Sequence, residues 1–275
     1  MLQQQIDFPR QWLWQPASTL VCTPVAQPNL AGLLTHFSPI SLAEMDDVAL
    51  LNRTDTKYVL TLPQLCEVLT ALPQHYRILE INHIRLNHYQ TLYFDTPTFD
   101  LYLAHHAGRR DRVKVRSRQY VDTHRSFLEI KHKTNKDHTI KHRLPTTGFV
   151  THLTAETDEF LHAEMPTTTL NLEPKLGNNF SRLTLVSLHR PERLTLDVQL
   201  QFISGREAVS LPEIVIAEVK QVGRNPDSDF IQQMRAMKIQ PMGFSKYCMG
   251  ISLLYPQVKH NNFKPKLRWL SKLMN

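Results

Sequence analysis

Gly108–Tyr120 reads GRRDRVKVRSRQY, Phe127–Lys133 reads FLEIKHK and His138–Pro145 reads HTIKHRLP. Successive side chains of a strand point to opposite faces. Arg112, Lys114, Arg116 and Arg118 therefore share one face, and Val113 and Val115 take the other. Past a turn at Asp122-Thr123-His124, Glu129, Lys131 and Lys133 align in the same way, and the third run sets Lys141 on a face with Arg143. Opposed like charges weaken a sheet, so three adjacent basic rows require an offset. A solvated outer face supplies one by screening over about 8 Å. An inner or cleft face supplies another if it binds a polyanion whose phosphates pair with the cations. Three consecutive rows favour the second reading.

Composition points the same way. The chain has 275 residues, 41% hydrophobic and 21% charged, with a formal net charge of +7. That describes a globular protein with a substantial core and an anionic partner: nucleic acid, an anionic membrane or phosphates. Cys22, Cys66 and Cys248 are odd in number and form no CxxC pair. Neither a disulfide framework nor a zinc ribbon is supported, and a reducing, cytoplasmic setting is expected. The opening MLQQQIDFPRQWLWQ lacks the basic-then-apolar pattern of a secretory signal, and no uncharged apolar run nears the roughly 18 residues of a spanning helix.

Residues 1–37, rich in Gln and Pro, predict an extended N-terminal arm with Trp12 and Trp14 as its anchors. Ser41 and Glu44 are spaced as a capping box for a short helix. In Asn52–Tyr58, NRTDTKY, a strand puts Arg53, Asp55 and Lys57 on one face. A helix over 62–72, strands over 76–84 and 89–97 and a short helix closing at Gly108 precede the basic strands. After them 151–163 reads as a helix, 166–177 as irregular or a second helix, 180–188 and 213–222 as strands, and 227–238 as a helix; Gly243 opens the last element. Arg193, Thr195, Asp197, Gln199 and Gln201 alternate with Leu194, Leu196, Val198, Leu200 and Phe202, a strict period of two. Residues 256–275 form a basic tail with Phe263, Leu267, Trp269 and Leu270 interleaved, a contact for an anionic membrane or membrane-protein partner, or a mobile end.

At least eight strands thus carry one polar and one apolar face. Packed apolar face to apolar face they make a sandwich. Turned inside out they make a closed barrel with a polar lumen, its apolar outside covered by the amphipathic helices. Interspersed helices and uneven strand spacing argue against a membrane barrel. In a soluble tunnel, Arg and Lys hold a linear polyanion through many contacts strengthened by exclusion of water. Carboxylates in such a lumen call for a divalent cation, since Mg²⁺ or Mn²⁺ is held by one or two carboxylates plus phosphate oxygens. Glu218, two residues from Lys220, is the first choice of ligand, ahead of Glu129 and Asp55; a salt bridge to a neighbouring Lys or Arg is its structural alternative. His132, His138 and His142 lack a recognised ligand spacing.

The ordered set RTDTKY, YFDT, RVKVRSRQY, FLEIKHK, the Arg182 strand, RLTLD, IAEVK and FSKY resembles the VTC domain, the catalytic domain of polyphosphate polymerases in the triphosphate tunnel metalloenzyme superfamily. The resemblance spans residues 38–255. It implies an α+β fold, an antiparallel β-barrel tunnel with a polar, basic lumen and helices outside, binding ATP and inorganic polyphosphate with Mn²⁺ or Mg²⁺. It further implies catalytic roles for Lys57, Arg116, Arg118, Lys131, Arg182, Arg193, Lys220 and Lys246. Phosphate contacts would come from Arg53, Arg112, Lys114, Lys133, Lys141, Arg143 and Ser245, and metal binding from Glu218. The superfamily opens with Glu-x-Glu-x-Lys where this chain has Arg53-x-Asp55-x-Lys57. Loss of one acid favours the polymerase branch over triphosphatases and cyclases.

The expected reaction is transfer of the γ-phosphoryl group of ATP to a growing polyphosphate. Its rivals are a metal-dependent triphosphatase with water as acceptor and a non-catalytic polyphosphate-binding module. Nucleic acid is disfavoured, because Tyr93, Phe94 and Phe202 sit where core packing uses them.

Overall fold

Eleven strands form one sheet in the computed structural model, which describes residues 30–46, 54–136, 138–165, 171–223 and 225–274. In chain order these are α1 (Leu30–Leu34), β1 (Pro39–Ile40), α2 (Leu42–Asp46), β2 (Thr54–Thr61), α3 (Leu62–Ala71), β3 (Tyr76–Leu79), β4 (Asn87–Asp95), α4 (Asp100–His106), β5 (Arg112–Tyr120), β6 (Arg125–Lys133) and β7 (Thr139–Thr146). The second half comprises α5 (Ala155–Glu164), β8 (Glu173–Ser187), β9 (Glu192–Ser204), β10 (Glu207–Leu211), β11 (Ile214–Gln221), α6 (Asp229–Ala236), α7 (Lys246–Leu254) and α8 (Lys264–Met274). The N-terminal Trp12 and Trp14, and Arg53 ahead of β2, lie outside the described residues.

The sheet is built on two long strands. β8 and β9 run 15 and 13 residues and pair with each other antiparallel. Along its other edge β8 meets β4 first and β3 further on, and β9 likewise meets β11 and then β10. The main ladder runs β2-β11-β9-β8-β4-β5-β6-β7, and every pair in it is antiparallel. Its two ends face each other, since residues of β2 and of β6 line one cavity. No pairing of β2 with β7 joins the ladder into a ring among the described residues, so the expected closed barrel is an incompletely closed one.

Apolar clusters cover the outside and fill part of the inside. Tyr58, Leu60, Leu183, Leu185, Leu194, Leu196 and Val198 pack with Leu65, Val68 and Leu69 of α3 and Phe230 and Met234 of α6. α3 begins with a capping box between Thr61 and Gln64 and carries Pro63 in its first turn, which fixes where it starts. A second outer cluster joins Leu92, Phe94, Val115, Leu128 and Ile130 to Leu161 of α5. The third gathers Leu176, Phe180, Leu200 and Phe202 around Tyr247, Cys248 and Ile251 of α7.

The strict alternation of β9 hides a reversal. Leu194, Leu196 and Val198 belong to the cluster under α3, but Leu200 and Phe202 belong to the one around α7. Between them Gln199 has φ 55° and the β8–β9 register shifts, a bulge that re-aims the side chains beyond it. Were Gln199 regular extended strand, Leu200 and Phe202 would continue the face of Val198 and leave the α7 side.

Other differences are local. β3 stops at Leu79 because Ile81 and Ile84 bridge a tight turn in which Asn82 and His83 have φ 49° and 65°. β8 starts at Glu173, so residues 173–177, expected to be irregular or helical, are strand, while 166–170 lie outside the described residues; β10 forms a hairpin with β9 through Gly205 at φ 58°. Residues 30–37, the end of the predicted arm, include α1 and bury Leu34 and Phe37. Residues 256–275 include α8, which buries Leu270 and packs Leu267, Trp269 and Leu273 onto the α7 cluster. No helix of the described residues is long and apolar enough to cross a membrane.

Gly250 marks how tightly α7 seats. A Cβ there would lie 2.5 Å from a methyl of Leu176 and 2.7 Å from the ring of Phe202, both fully buried. Gly250→Ala should therefore destabilise the protein by about 1–2 kcal/mol despite the gain in helix propensity, read as a lower midpoint in urea unfolding. An unchanged midpoint would mean that Leu176 and Phe202 repack freely.

Candidate functional site

Strand register sets the basic rows against one another. Lys114, Lys131 and Lys141 stand directly opposite across β5, β6 and β7, and the next row is Arg116, Glu129 and Arg143. Like charges in the first row repel; the carboxylate in the second offsets them. Glu129 is 1% exposed. It accepts from Arg116 at 2.7 Å and Arg143 at 3.0 Å and pairs with Lys141 at 2.7 Å. Burial pushes its carboxyl up, but Arg116, Arg118 and Lys141 outweigh it and hold it far below the usual carboxylate range. Glu129 is thus occupied by three cations.

Two further carboxylates repeat the arrangement. Asp197, 3% exposed, takes a two-pronged contact from Arg182 at 2.5 and 2.8 Å and a bond from Lys246 of α7. Glu218 accepts from Lys57 through one oxygen and lies 2.7 Å from Lys220 through the other. Burial raises the Glu218 carboxyl, yet Lys220 and Lys57 hold it well below its ordinary value. The salt-bridge alternative for Glu218 is therefore realised here, on both sides. Asp55 stands opposite Lys220 one step along the β2–β11 ladder, and Arg193 stands opposite Lys220 on β9.

Aromatic rings form the wall between these centres. Tyr89 and Phe180 stack at 5.1 Å, with Arg118 and Arg182 each within 6 Å of both ring centres and Lys246 4.3 Å from Phe180. Arg118 is 7% exposed and donates to Thr91. Its cation–π contacts stand in for part of the hydration it has lost.

A cavity of about 740 Å³ opens at one end. It is lined by Lys57, Asp55, Arg112, Lys114, Lys131 and Lys133 of the strands and by Ser245, Cys248 and the 241–244 loop. Lys114 donates to Ser245 at 3.0 Å, and Ser245 caps α7 through the Cys248 amide. The structure thus divides the sequence-predicted set. Lys57, Arg112, Lys114, Lys131, Lys133 and Ser245 meet at this mouth. Arg116, Lys141 and Arg143 gather on Glu129; Arg182 and Lys246 gather on Asp197; Lys220 joins Lys57 on Glu218.

Sequence reasoning passed over three residues of the site. Asp197 holds two of the predicted cations, and only its place on the Arg193–Gln199 face signalled it. His105 of α4 lines the mouth, where burial, then Lys114 and Arg112, push its imidazole down to about 3, so it stays neutral. Lys266 of α8 reaches the mouth from the far end of the chain, and nothing local could have placed it there.

The family model of the VTC domain matches residues 52–255. The chain belongs to the VTC-domain family. No curated protein matches the sequence. Among solved structures, a candidate adenylate cyclase from Bacillus halodurans is similar at a TM-score of 0.45 and 11% identity, covering 74% of this chain and 97% of that one. A candidate adenylyl cyclase from Hippeastrum, described as having a dominant triphosphatase activity, gives 0.44 and 15% over 72% and 94%. One from Vibrio parahaemolyticus gives 0.40 and 11% over 73% and 98%. At such distances no activity follows from the likeness.

Two motifs of the VTC domain hold each other in place. Asp95 of YFDT is fully buried and accepts from the amides of Thr96, Leu101 and Tyr102, which ends β4 and begins α4. Tyr247 of FSKY donates to the same carboxylate. α7, with Ser245 and Lys246 at its start, is thereby pinned to the sheet edge beside the mouth.

Crowding the cations has a measurable cost. Burial lowers Lys114, Lys141, Lys220 and Lys246 to about 8 each. Between about pH 8 and 10 the unfolded chain, with ordinary lysines, binds more protons than the folded one, so stability rises with pH there. Affinity for a phosphate chain should fall over the same window as these lysines lose their charge. Thermal unfolding and tripolyphosphate titration across pH 7.5–9.5 should move in opposite directions; a parallel change would contradict the lowered lysines.

Glu129→Gln provides a second check. Loss of the charge leaves Arg116, Lys141 and Arg143 uncompensated, and the variant should lose about 3 kcal/mol of stability. Tripolyphosphate should restore part of the loss, seen as a larger ligand-induced rise in Tm than in the unaltered protein.

Proposed function

We propose that this VTC domain is an ATP-dependent polyphosphate polymerase. The observation that carries the reading is the set of adjacent basic rows on β5, β6 and β7, which leads from Lys114 and Lys131 at the open mouth to Arg116 and Arg143 on the buried Glu129. A row of fixed positive charges at strand spacing suits a ligand with a negative charge on every unit. It also suits a reaction whose reactant and product are the same kind of chain.

The terminal phosphate oxygen of the polyphosphate attacks the γ-phosphorus of ATP, the bond to the β,γ-bridging oxygen breaks, and ADP leaves with that electron pair. The attacking group is already an oxyanion, so no side-chain base is required. This fits the neutral His105 and the capping role of Ser245. Lys57, Lys114 and Lys131 bind and align the phosphates at the mouth; Arg116, Arg118 and Arg182, held by Glu129, the Tyr89–Phe180 pair and Asp197, fix the depth and line of approach.

A divalent cation fits this donor set only in company with phosphate. Glu218 and Asp55 occupy diagonal positions on neighbouring strands, and no group of three His, Cys, Asp or Glu side chains forms an all-protein cage among the described residues. Glu218, with Asp55, would hold it. When bound, the ion neutralises charge on the transferring phosphoryl group. Glu218 would then hand Lys57 and Lys220 over to phosphate oxygens.

The test is incubation of the purified protein with ATP and Mn²⁺, with and without a short polyphosphate primer, the products resolved on a gel. A ladder of long chains is expected, with at least a hundredfold loss in Glu218→Gln while the fold, checked by circular dichroism, persists. Orthophosphate as the sole product would replace the polymerase by a triphosphatase. Tight binding without turnover would leave a phosphate-chain-binding module.

A further inference from the structure

The lining of the mouth is uneven in charge. Its strands carry Lys57, Arg112, Lys114, Lys131 and Lys133. Residues 241–245, Cys248, Met249, Phe263 and Lys266 complete it, and Lys266 is the one charged member of that second group among the described lining residues. A phosphate unit carries oxygens on all sides of its tetrahedron, so cations supplied by the strands alone leave some of them to water.

Lys266 is also held differently from the inner cations. Lys57, Lys141, Lys220 and Lys246, like Arg116, Arg143 and Arg182, pair with a carboxylate. Lys266 donates instead to the carbonyl of Gly243 at 2.5 Å, and no carboxylate lies within ion-pairing distance of it among the described residues. A neutral carbonyl orients the ammonium without cancelling its charge and takes one of its three donors. Lys266 lines a cavity that is already basic. An unpaired charge placed there raises repulsion unless an anion sits in the cavity.

The helix that carries Lys266 is anchored, not loose. Leu270 of α8 is buried, and Leu267, Trp269 and Leu273 pack on the α7 cluster. The family match ends at residue 255, so Phe263 and Lys266 reach the mouth from a segment beyond the matched domain.

We propose that Lys266 is a phosphate-binding residue of the mouth, contributed by α8 to the lining that the basic strands begin. The inference rests on the reading of the site as a phosphate-chain binder. α8 is accordingly a working part of the site and not a basic appendage.

The test is calorimetric titration of the full chain with tripolyphosphate, without metal, at several salt concentrations. Lys266→Met keeps the aliphatic stem and should weaken binding about fivefold. It should also make the slope of log K against log salt shallower by roughly 0.7, the release of about one counterion. Lys266→Arg should restore both. Lys272→Ala, an exposed lysine on the same helix away from the cavity, should stay within about twofold of the unaltered protein. Equal binding by Lys266→Met and Lys272→Ala, with the unaltered protein binding tightly, overturns the role of Lys266 alone. Failure of the unaltered protein to bind tripolyphosphate overturns both this role and the functional reading beneath it.

Discussion

Cations gathered in a space with little water repel one another, and the whole interior is arranged around that repulsion. Three carboxylates, the buried Glu129 and Asp197 and the half-buried Glu218, each sit between at least two cations and draw charge from different elements. The compensation is incomplete by design of the lining: Lys114, Lys131 and Lys141 form a row without an acid among them. Breaking one member of a buried ion pair costs far more than the pair gains over an apolar substitute. The acids therefore serve mainly to keep the cations charged, buried and in line until an anion arrives.

Holding these rows requires a sheet that curls without collapsing. β8 and β9 are long enough to serve two sets of neighbours, and the bulge at Gln199 lets the same strand face cations along one part and the α7 plug along the next. Polar lining and apolar filling thus share one interior, separated along the strands. Asp95 ties the end of β4 to α4 and, through Tyr247, to α7, so the plug and the mouth keep a constant relation.

Much of this was readable in the residues. The parity of Arg112 to Arg118 and of Glu129 to Lys133 fixed which side chains share a face, and the ladders place them as that parity requires. Capping at Ser41 marked a helix start because its side chain satisfies an amide that has no other partner, whereas the caps at Thr61 and Thr154 emerged only in the structure. Positions whose conformation depends on a partner far along the chain were not readable. Gln199 looks like one more polar residue in an alternating strand, and the turn at Asn82 and His83 looks like the continuation of β3.

The sequence by itself determined the faces of the strands, the basic character of one face and the family to which the chain belongs, because side-chain parity, charge and motif order are local properties. Tertiary structure alone decided which cations share a carboxylate, which reach the cavity and that Lys266 lines the same mouth as Lys114 and Lys131. Those relations depend on strand register, on a bulge and on helix docking, where the free energy comes from contacts between residues far apart in the chain.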